Sequence, residues 1–395
     1  METKDTQPGL MASLRAMPRA FWFIVLGTFI NRCGMLVMPF ATLYLTAQNY
    51  SVSQAGTALL WYGVGHLGAS LGGGQLADTI GRKNTMSLSF FSTTVVMFAF
   101  PHVSSLEAIF TLMFFTGLTG ELYRPAVNAL ITDLIPEEHR LAAFAANRTA
   151  LNAGFAIGPA LGGFMTKYSW AWLFYADGLT TFVFGVIAAI ALPHGNRGKA
   201  SAAENLGAWK EIVSNAPFMC FALANFFVAI AFMQMHSTFA LVIRDAGYLP
   251  WVYGLISSLN GLLIVLIELP VTAMTKRYRT RSVIVLGYFL IGAGYPLLMG
   301  TPLITTFVVV MIIYTIGEII CMPMAMAYLA QLCPEDKRGR YMGAFGLTWG
   351  LALLIGPKVG LAIYDLSPDF WWVTCGTLGT IGAAIVLCAP PARRG

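Results

Sequence analysis

The chain has 395 residues, 57% of them hydrophobic and only 11% charged, with a net charge of +6. Soluble domains carry about 25% charged residues, so the composition excludes a water-soluble globular fold and indicates a polytopic membrane protein. The basic excess does not call for nucleic acid, because the charges sit at the ends of apolar runs.

The first 20 residues are polar, and the apolar run that follows, about 20–45, is too long for a cleaved signal sequence and closes on no small-residue cleavage site. It reads as a retained first span. Gly, Pro and charge clusters divide the rest, and twelve spans are predicted at 20–45, 53–77, 84–101, 106–134, 141–167, 171–193, 218–244, 250–275, 282–300, 303–332, 339–365 and 369–389. One long polar stretch, 194–217, separates six spans from six. The expected organisation is a cytoplasmic segment 1–19, a six-helix bundle 20–193, a cytoplasmic linker 194–217, a second six-helix bundle 218–389 and a cytoplasmic tail 390–395.

With both termini inside, eighteen of the 24 Lys and Arg residues fall in cytoplasmic segments, among them Arg82, Lys83, Arg140, Lys276, Arg277 and Arg340. The positive-inside rule gives this orientation, in a cell inner membrane, and it explains the basic balance by contact with anionic lipid. The six cysteines are scattered in apolar runs with no CxxC spacing, as packing residues are.

Displacing the chain by 198 residues pairs PEEHR (136–140) with PEDKR (334–338), Gly158-Pro159 with Gly356-Pro357, Gly162 with Gly360 and Gly56 with Gly254. A duplicated six-helix unit is the mark of a transporter whose site lies between repeats near the membrane midplane.

After the second span comes GGGQLADTIGRKN (72–84). Gly81 permits a backbone with positive φ in a tight turn, Arg82 and Lys83 hold the loop inside, and Asp78 can meet a basic group. In the fifth span, NAGFAIGPALGGF (152–164) places Gly154, Gly158, Gly162 and Gly163 about a turn apart, a face for close contact, expected against a helix of the second half, with Pro159 as a bend. Both stretches resemble signatures of the major facilitator superfamily, the first its motif A and the second its motif C, which is associated with antiporters. The likeness extends over the full chain and is strongest to twelve-helix drug:proton antiporters.

The resemblance implies an all-α fold of twelve transmembrane helices, two pseudo-symmetric six-helix bundles around a central cavity lined by spans 1, 4, 7 and 10. It implies a cytoplasmic lock at Gly74, Asp78, Gly81 and Arg82, with Asp133 of span 4 joined to Asp78 through a cation. In the second half Lys276 stands where Asp78 stands, so only the first lock is expected to be ionic. The family's usual span 4 arginine is missing here, since Met113 and Thr116 occupy its place.

Span 4 instead carries Glu121 and Arg124, an i,i+3 pair on one face. Charges inside a bilayer are costly and face the bundle interior or a wet cavity. Arg32, Glu268 and Glu318 are the other ionisable groups read here as proton-coupling candidates, whereas Asp177 and Lys358 are expected to snorkel outward. Asn31, Tyr123, Phe232, Met233, Gln234, His236, Met322 and Trp349 are the expected substrate lining, with Phe40, Tyr44 and Met326 nearby. His236 is favoured over His66, which reads as an ordinary hydrogen-bonded helix residue.

No GxxxxGK[ST] loop and no HExxH motif is present. The chain therefore reads as no enzyme, with no cofactor and a proton gradient as its energy source. Its expected partners are a small-molecule substrate, protons and membrane lipid, with no nucleic acid, and a monomer is expected. The expected function is proton-coupled efflux of small hydrophobic or amphipathic compounds such as drugs. Two alternatives stay open: an exporter of one metabolite or of an anionic amphipathic lipid, for which Arg32 and Arg124 could hold the head group, and a non-transporting sensor.

Overall fold

The computed structural model describes residues 10–195, 211–300, 302–334 and 338–390. Among the described residues there are helices and no strands. Most of the 194–217 linker, the 391–395 tail, residues 1–9 and 335–337 of the second PEDKR copy lie outside them.

A short helix α1 (Leu10–Arg15) lies in the segment expected to be merely polar. Span 1 is two helices, α2 (Arg19–Gly34) and α3 (Val37–Ala47). The next spans are α4 (Val52–Thr79) and α5 (Arg82–Ala99). Span 4 is α6 (Leu106–Glu121) and α7 (Tyr123–Leu134). The first half closes with α8 (Glu137–Met165) and α9 (Ala171–Ala191).

Span 7 is α10 (Ala216–Met233), a single tight turn at Gln234–His236 and α11 (Thr238–Asp245). The remaining spans are α12 (Pro250–Thr275), α13 (Thr280–Ala293), α14 (Ile304–Leu332), α15 (Arg338–Leu366) and α16 (Pro368–Cys388). Each of the twelve expected spans is met, with three of them interrupted. Eight spans are long and apolar enough to cross a membrane by length and composition. Spans 2 to 5 miss that measure, and they carry much of the chain's intramembrane Gly, Thr and charge.

The interruptions have separate causes. In span 1 a Cβ on Gly34 would lie 1.7 Å from Thr180 Oγ1 of α9, so only glycine allows the approach. The chain then turns, and Leu36 N–H donates to Asp177 Oδ2 at 3.2 Å. Asp177 is thus buried and caps a broken helix, in contrast to the expectation that it snorkels to the surface. In span 7 neither Gly nor Pro is involved. The Gln234 side chain donates to Ile230 O and Gly356 O, and its oxygen accepts from Ser237 and Thr238 hydroxyls, supplying bonds that the backbone gives up there.

The chain forms two compact units that do not follow the two sequence halves. The first collects the described residues of Met1–Leu36, Val64–Gly158 and Tyr168–Ala200. The second collects those of Val37–Gly63, Pro159–Lys167 and Ser201–Gly395. In lipid, hydrophobicity does not drive helices together, so close packing through small residues and interhelical hydrogen bonds must do so.

In the first unit α2, α5, α7 and α9 meet around Phe21, Met86, Phe90, Tyr123, Leu130 and Phe184, all buried. In the second unit Gly56 packs on Lys358 of α15, and Gly254 packs on the Pro159 carbonyl and Gly163 of the C-terminal part of α8. These two contacts are repeat-related, since Gly56 and Gly254 are paired by the duplication. Their polar pins differ. Ser258 Oγ accepts from Ala160 N–H at 2.9 Å on one side, and Lys358 Nζ donates to Ser53 O and Oγ and to Thr57 Oγ1 on the other.

Candidate functional site

α6 ends at Glu121, four residues before Pro125, which has no N–H to give the Glu121 carbonyl and whose ring crowds it. Leu122 nevertheless keeps helical angles, φ −58° and ψ −30°. Glu121 and Arg124 therefore remain one turn apart, with Arg124 Nε 2.5 Å from Glu121 Oε2. Glu121 is 7% exposed, while the Arg124 side chain is 48% exposed. The acid is inside and its cation reaches outward.

A third group joins them. His66 Nε2 of α4 lies 3.8 Å from the same Glu121 Oε2, an ion pair whenever the imidazole is protonated. Gly65 makes this possible, since a Cβ there would lie 2.0 Å from the Phe114 carbonyl of α6. His66, read from sequence as an ordinary helix residue, thus sits on the carboxylate. No sequence signal announces this pairing, because adjacent helix positions point about 100° apart and nothing local says that Gly65 meets span 4.

Two residues along, Tyr123 points into the first unit, packed on the rings of Phe90 and Phe184. Its hydroxyl accepts from Arg32 Nη2 at 3.2 Å. Nη1 of Arg32 donates to the Met35 thioether. The neighbouring Asn31 donates to Thr181 Oγ1 at 2.9 Å, and Thr181 in turn donates to Asp177, so span 1 is held on α9 by a polar chain. Behind Arg32 stands α8: a Cβ on Gly154 would lie 2.5 Å from Arg32 Cβ, and one on Gly158 would lie 3.1 Å from the Arg32 carbonyl.

The glycine face of α8 therefore has two uses. Gly154 and Gly158 receive span 1, where the sequence pointed to a helix of the other half. Only the C-terminal end matches that expectation, where a Cβ on Gly163 would lie 2.7 Å from Trp251 Cα. Pro159 lies inside the helix at the boundary between these uses, and Gly162 is buried beside it.

The loop of motif A is closed on itself. Gly81 has φ 94°, as its place in a tight turn requires. Arg82 is buried and serves as the bridging cation: Nη1 meets Asp78 Oδ1 at 2.5 Å and the Ala77 carbonyl at 3.0 Å, and Nε lies 3.6 Å from Asp133 Oδ2 of α7. Gly195, with φ 69°, covers this pair, and a Cβ on it would lie 2.8 Å from Arg82 Cγ. The pattern of motif A does not reach Gly195. Nothing lies within 4 Å of a Cβ built on Gly74.

The other expected site residues are in the second unit. Glu318 accepts from Asn260 Nδ2 at 2.9 Å, and Asn260 also donates to Thr315. Phe232 packs between Tyr314 and Trp349, with ring centroids 5.2 Å away in each case. Met233, His236, Glu268 and Met322 are half-buried, and Met326 is exposed. Two lining expectations change. Phe40 is fully buried against Tyr253, so it packs the interior. The Gln234 amide is engaged at both ends by the break in span 7, which leaves it a structural role in place of substrate contact.

The profile of the Major Facilitator Superfamily matches residues 24–357 and, in a second match, 244–394. The uncharacterised transporter YqjV of Bacillus subtilis is 27% identical, over 87% of this chain and 86% of its own. A Na(+), Li(+), K(+)/H(+) antiporter of Planococcus maritimus is 26% identical over 83% and 85%. The quinolone resistance protein NorA of Staphylococcus aureus is 29% identical over a shorter stretch, 38% of this chain and 40% of its own. Among solved structures, a peptide transporter of the POT type superposes with a TM-score of 0.79 at 16% identity, over 96% of this chain and 97% of that one, which is a likeness of fold.

Proposed function

The chain belongs to the Major Facilitator Superfamily, and from that premise we propose that it is a proton-coupled antiporter that exports small hydrophobic or amphipathic compounds by alternating access. The observation that carries this reading is the buried Glu121 carboxylate, held between Arg124 and His66 at a helix interruption. A carboxylate inside a bilayer is stable as an anion only while cations or water compensate it. Losing that compensation favours its protonated form, and regaining it releases the proton. Solvation changes with each opening of the site, so the proton is taken up on one side and released on the other. Substrate leaves in exchange.

The antiporter of Planococcus maritimus and the resistance protein NorA support the antiport and efflux elements of this reading. Motif C, whose glycines are seated tightly on span 1 and on Trp251, supports a family of exporters. The Met and aromatic side chains around Phe232 and Trp349 suit ligands of varied shape. The single test is Glu121→Gln in proteoliposomes with an imposed ΔpH. Loss of ΔpH-driven substrate exchange is expected, with substrate binding retained; unchanged exchange would defeat the proposal.

A further inference from the structure

Arg32 is a buried guanidinium without an acid. It is 9% exposed, and its Nε, itself buried, has no hydrogen-bond partner. Its acceptors are the Met35 thioether and the Tyr123 phenol, both neutral and one of them weak. No described carboxylate lies within ion-pair distance of it: Glu121 is engaged by Arg124 and His66, and Asp177 accepts from Leu36 N–H. An arginine stays charged at any physiological pH. Leaving its charge uncompensated in a low-dielectric interior is strongly unfavourable.

The surroundings do not let the side chain leave. Gly154 and Gly158 of α8 lock the backbone of residues 29–33, and Asn31 is tied to Thr181 of α9. The guanidinium is thus fixed with an unused Nε–H edge beside a phenolic hydroxyl. That arrangement is suited to an oxyanion, which a guanidinium binds through two parallel N–H groups. Counting the cluster as charges, Arg32 and Arg124 stand against Glu121, and the surplus is positive.

The geometry points to Arg32 and Tyr123 as an anion subsite: the Nε and Nη edge of Arg32 receives a carboxylate, sulfonate or phosphate of an amphipathic ligand. The inference rests on the antiport reading for its physiological meaning and narrows the cargo to amphiphiles that carry an oxyanion.

The test uses the full chain in phosphatidylcholine nanodiscs and two probes with one fluorophore, dansylglycine and the neutral dansylamide. Dansylglycine should bind the wild type more tightly than dansylamide. Arg32→Gln should weaken dansylglycine roughly tenfold or more, the scale of a lost charge-assisted pair, and dansylamide far less. Tyr123→Phe should give a smaller loss in the same direction. Equal losses for both probes, or none for dansylglycine, overturn the subsite.

Should Arg32→Gln fail to fold, competition in the wild type decides. Naphthalene-2-sulfonate should displace dansylglycine where naphthalene-2-methanol does not, and equal displacement overturns the proposal. A soluble short-chain phosphatidylglycerol, added as competitor at constant bilayer composition, separates two oxyanion sources. Displacement of dansylglycine identifies a lipid headgroup as occupant, and no displacement identifies a soluble ligand. Arg32-dependent binding with no ΔpH-driven movement of either probe refutes the antiport reading and leaves the subsite standing. Antiport with dansylglycine binding indifferent to Arg32 does the reverse.

Discussion

The two halves of the repeat place GELYRPA (120–126) and EIICMPM (318–324) at equivalent positions. Pro125 and Pro323 correspond, yet α6 stops at Glu121 while α14 runs through Pro323. Arg124 corresponds to Met322 and Glu121 to Ile319, so the second half has lost the ion pair and kept the proline. Glu318 stands one position earlier, which turns it about 100° round the helix, and it meets the amide of Asn260 where Glu121 meets two basic groups. Duplication preserved the scaffold, and one copy took the charge chemistry.

If that asymmetry is functional, its largest consequence is in coupling. Glu121→Gln should reduce ΔpH-driven exchange to background, whereas Glu318→Gln, which still hydrogen-bonds Asn260, should leave most of it. Equal losses in a proteoliposome flux assay would break the comparison. The next effect is on stability. Gly154 corresponds to Ala352, so one copy tolerates a methyl group where the other has Arg32 Cβ 2.5 Å away. Gly154→Val should lower the thermal stability of the purified protein by an overpacking cost of about 1–3 kcal/mol, while Ala352→Gly should cost less. Melting in detergent, followed by tryptophan fluorescence, reads both.

Smaller again is the effect of the motif A loop. Asp78→Asn removes one carboxylate from Arg82 and leaves Asp133 at 3.6 Å. Turnover should fall several-fold with substrate affinity little changed, on the scale of about 1 kcal/mol for a partly exposed pair. Lys276, the second-half counterpart, meets no carboxylate among the described residues, and Lys276→Gln should not slow turnover. The smallest effect is at the repeat-related pins. Lys358→Met removes an ammonium from Ser53 and Thr57, and Ser258→Ala removes a single neutral hydrogen bond from Ala160. Each should shift melting by no more than about 1 kcal/mol, with Lys358→Met the larger, and the reverse order would show that the two pins are not comparable.

Much of this was legible without coordinates because it is local. Apolar length indicated a membrane protein, and the 198-residue displacement revealed two copies. Gly81 was read correctly as a positive-φ position because a short turn between two long helices leaves few alternatives. The Glu121–Arg124 pair was predictable because helical pitch alone brings i and i+3 together, and Leu122 kept that pitch through the break. The break itself was not, since Pro125 and the equivalent Pro323 read alike and only span 4 is interrupted, where a single helix over 106–134 was expected.

What only the tertiary structure decided are partnerships between residues far apart in the chain. His66 reaches Glu121, Arg32 reaches Tyr123 and finds no acid among the described residues, Asp177 caps span 1, and Gln234 is absorbed into span 7 and Gly356. Sequence periodicity states which residues share a helix face but not which face meets which. In a bilayer that choice falls to close contacts at small residues such as Gly34, Gly65 and Gly154, where a single Cβ would forbid the approach. Composition determined that this chain must hide its few charges, and the packing of those glycines set Arg32 beside a phenol and a thioether.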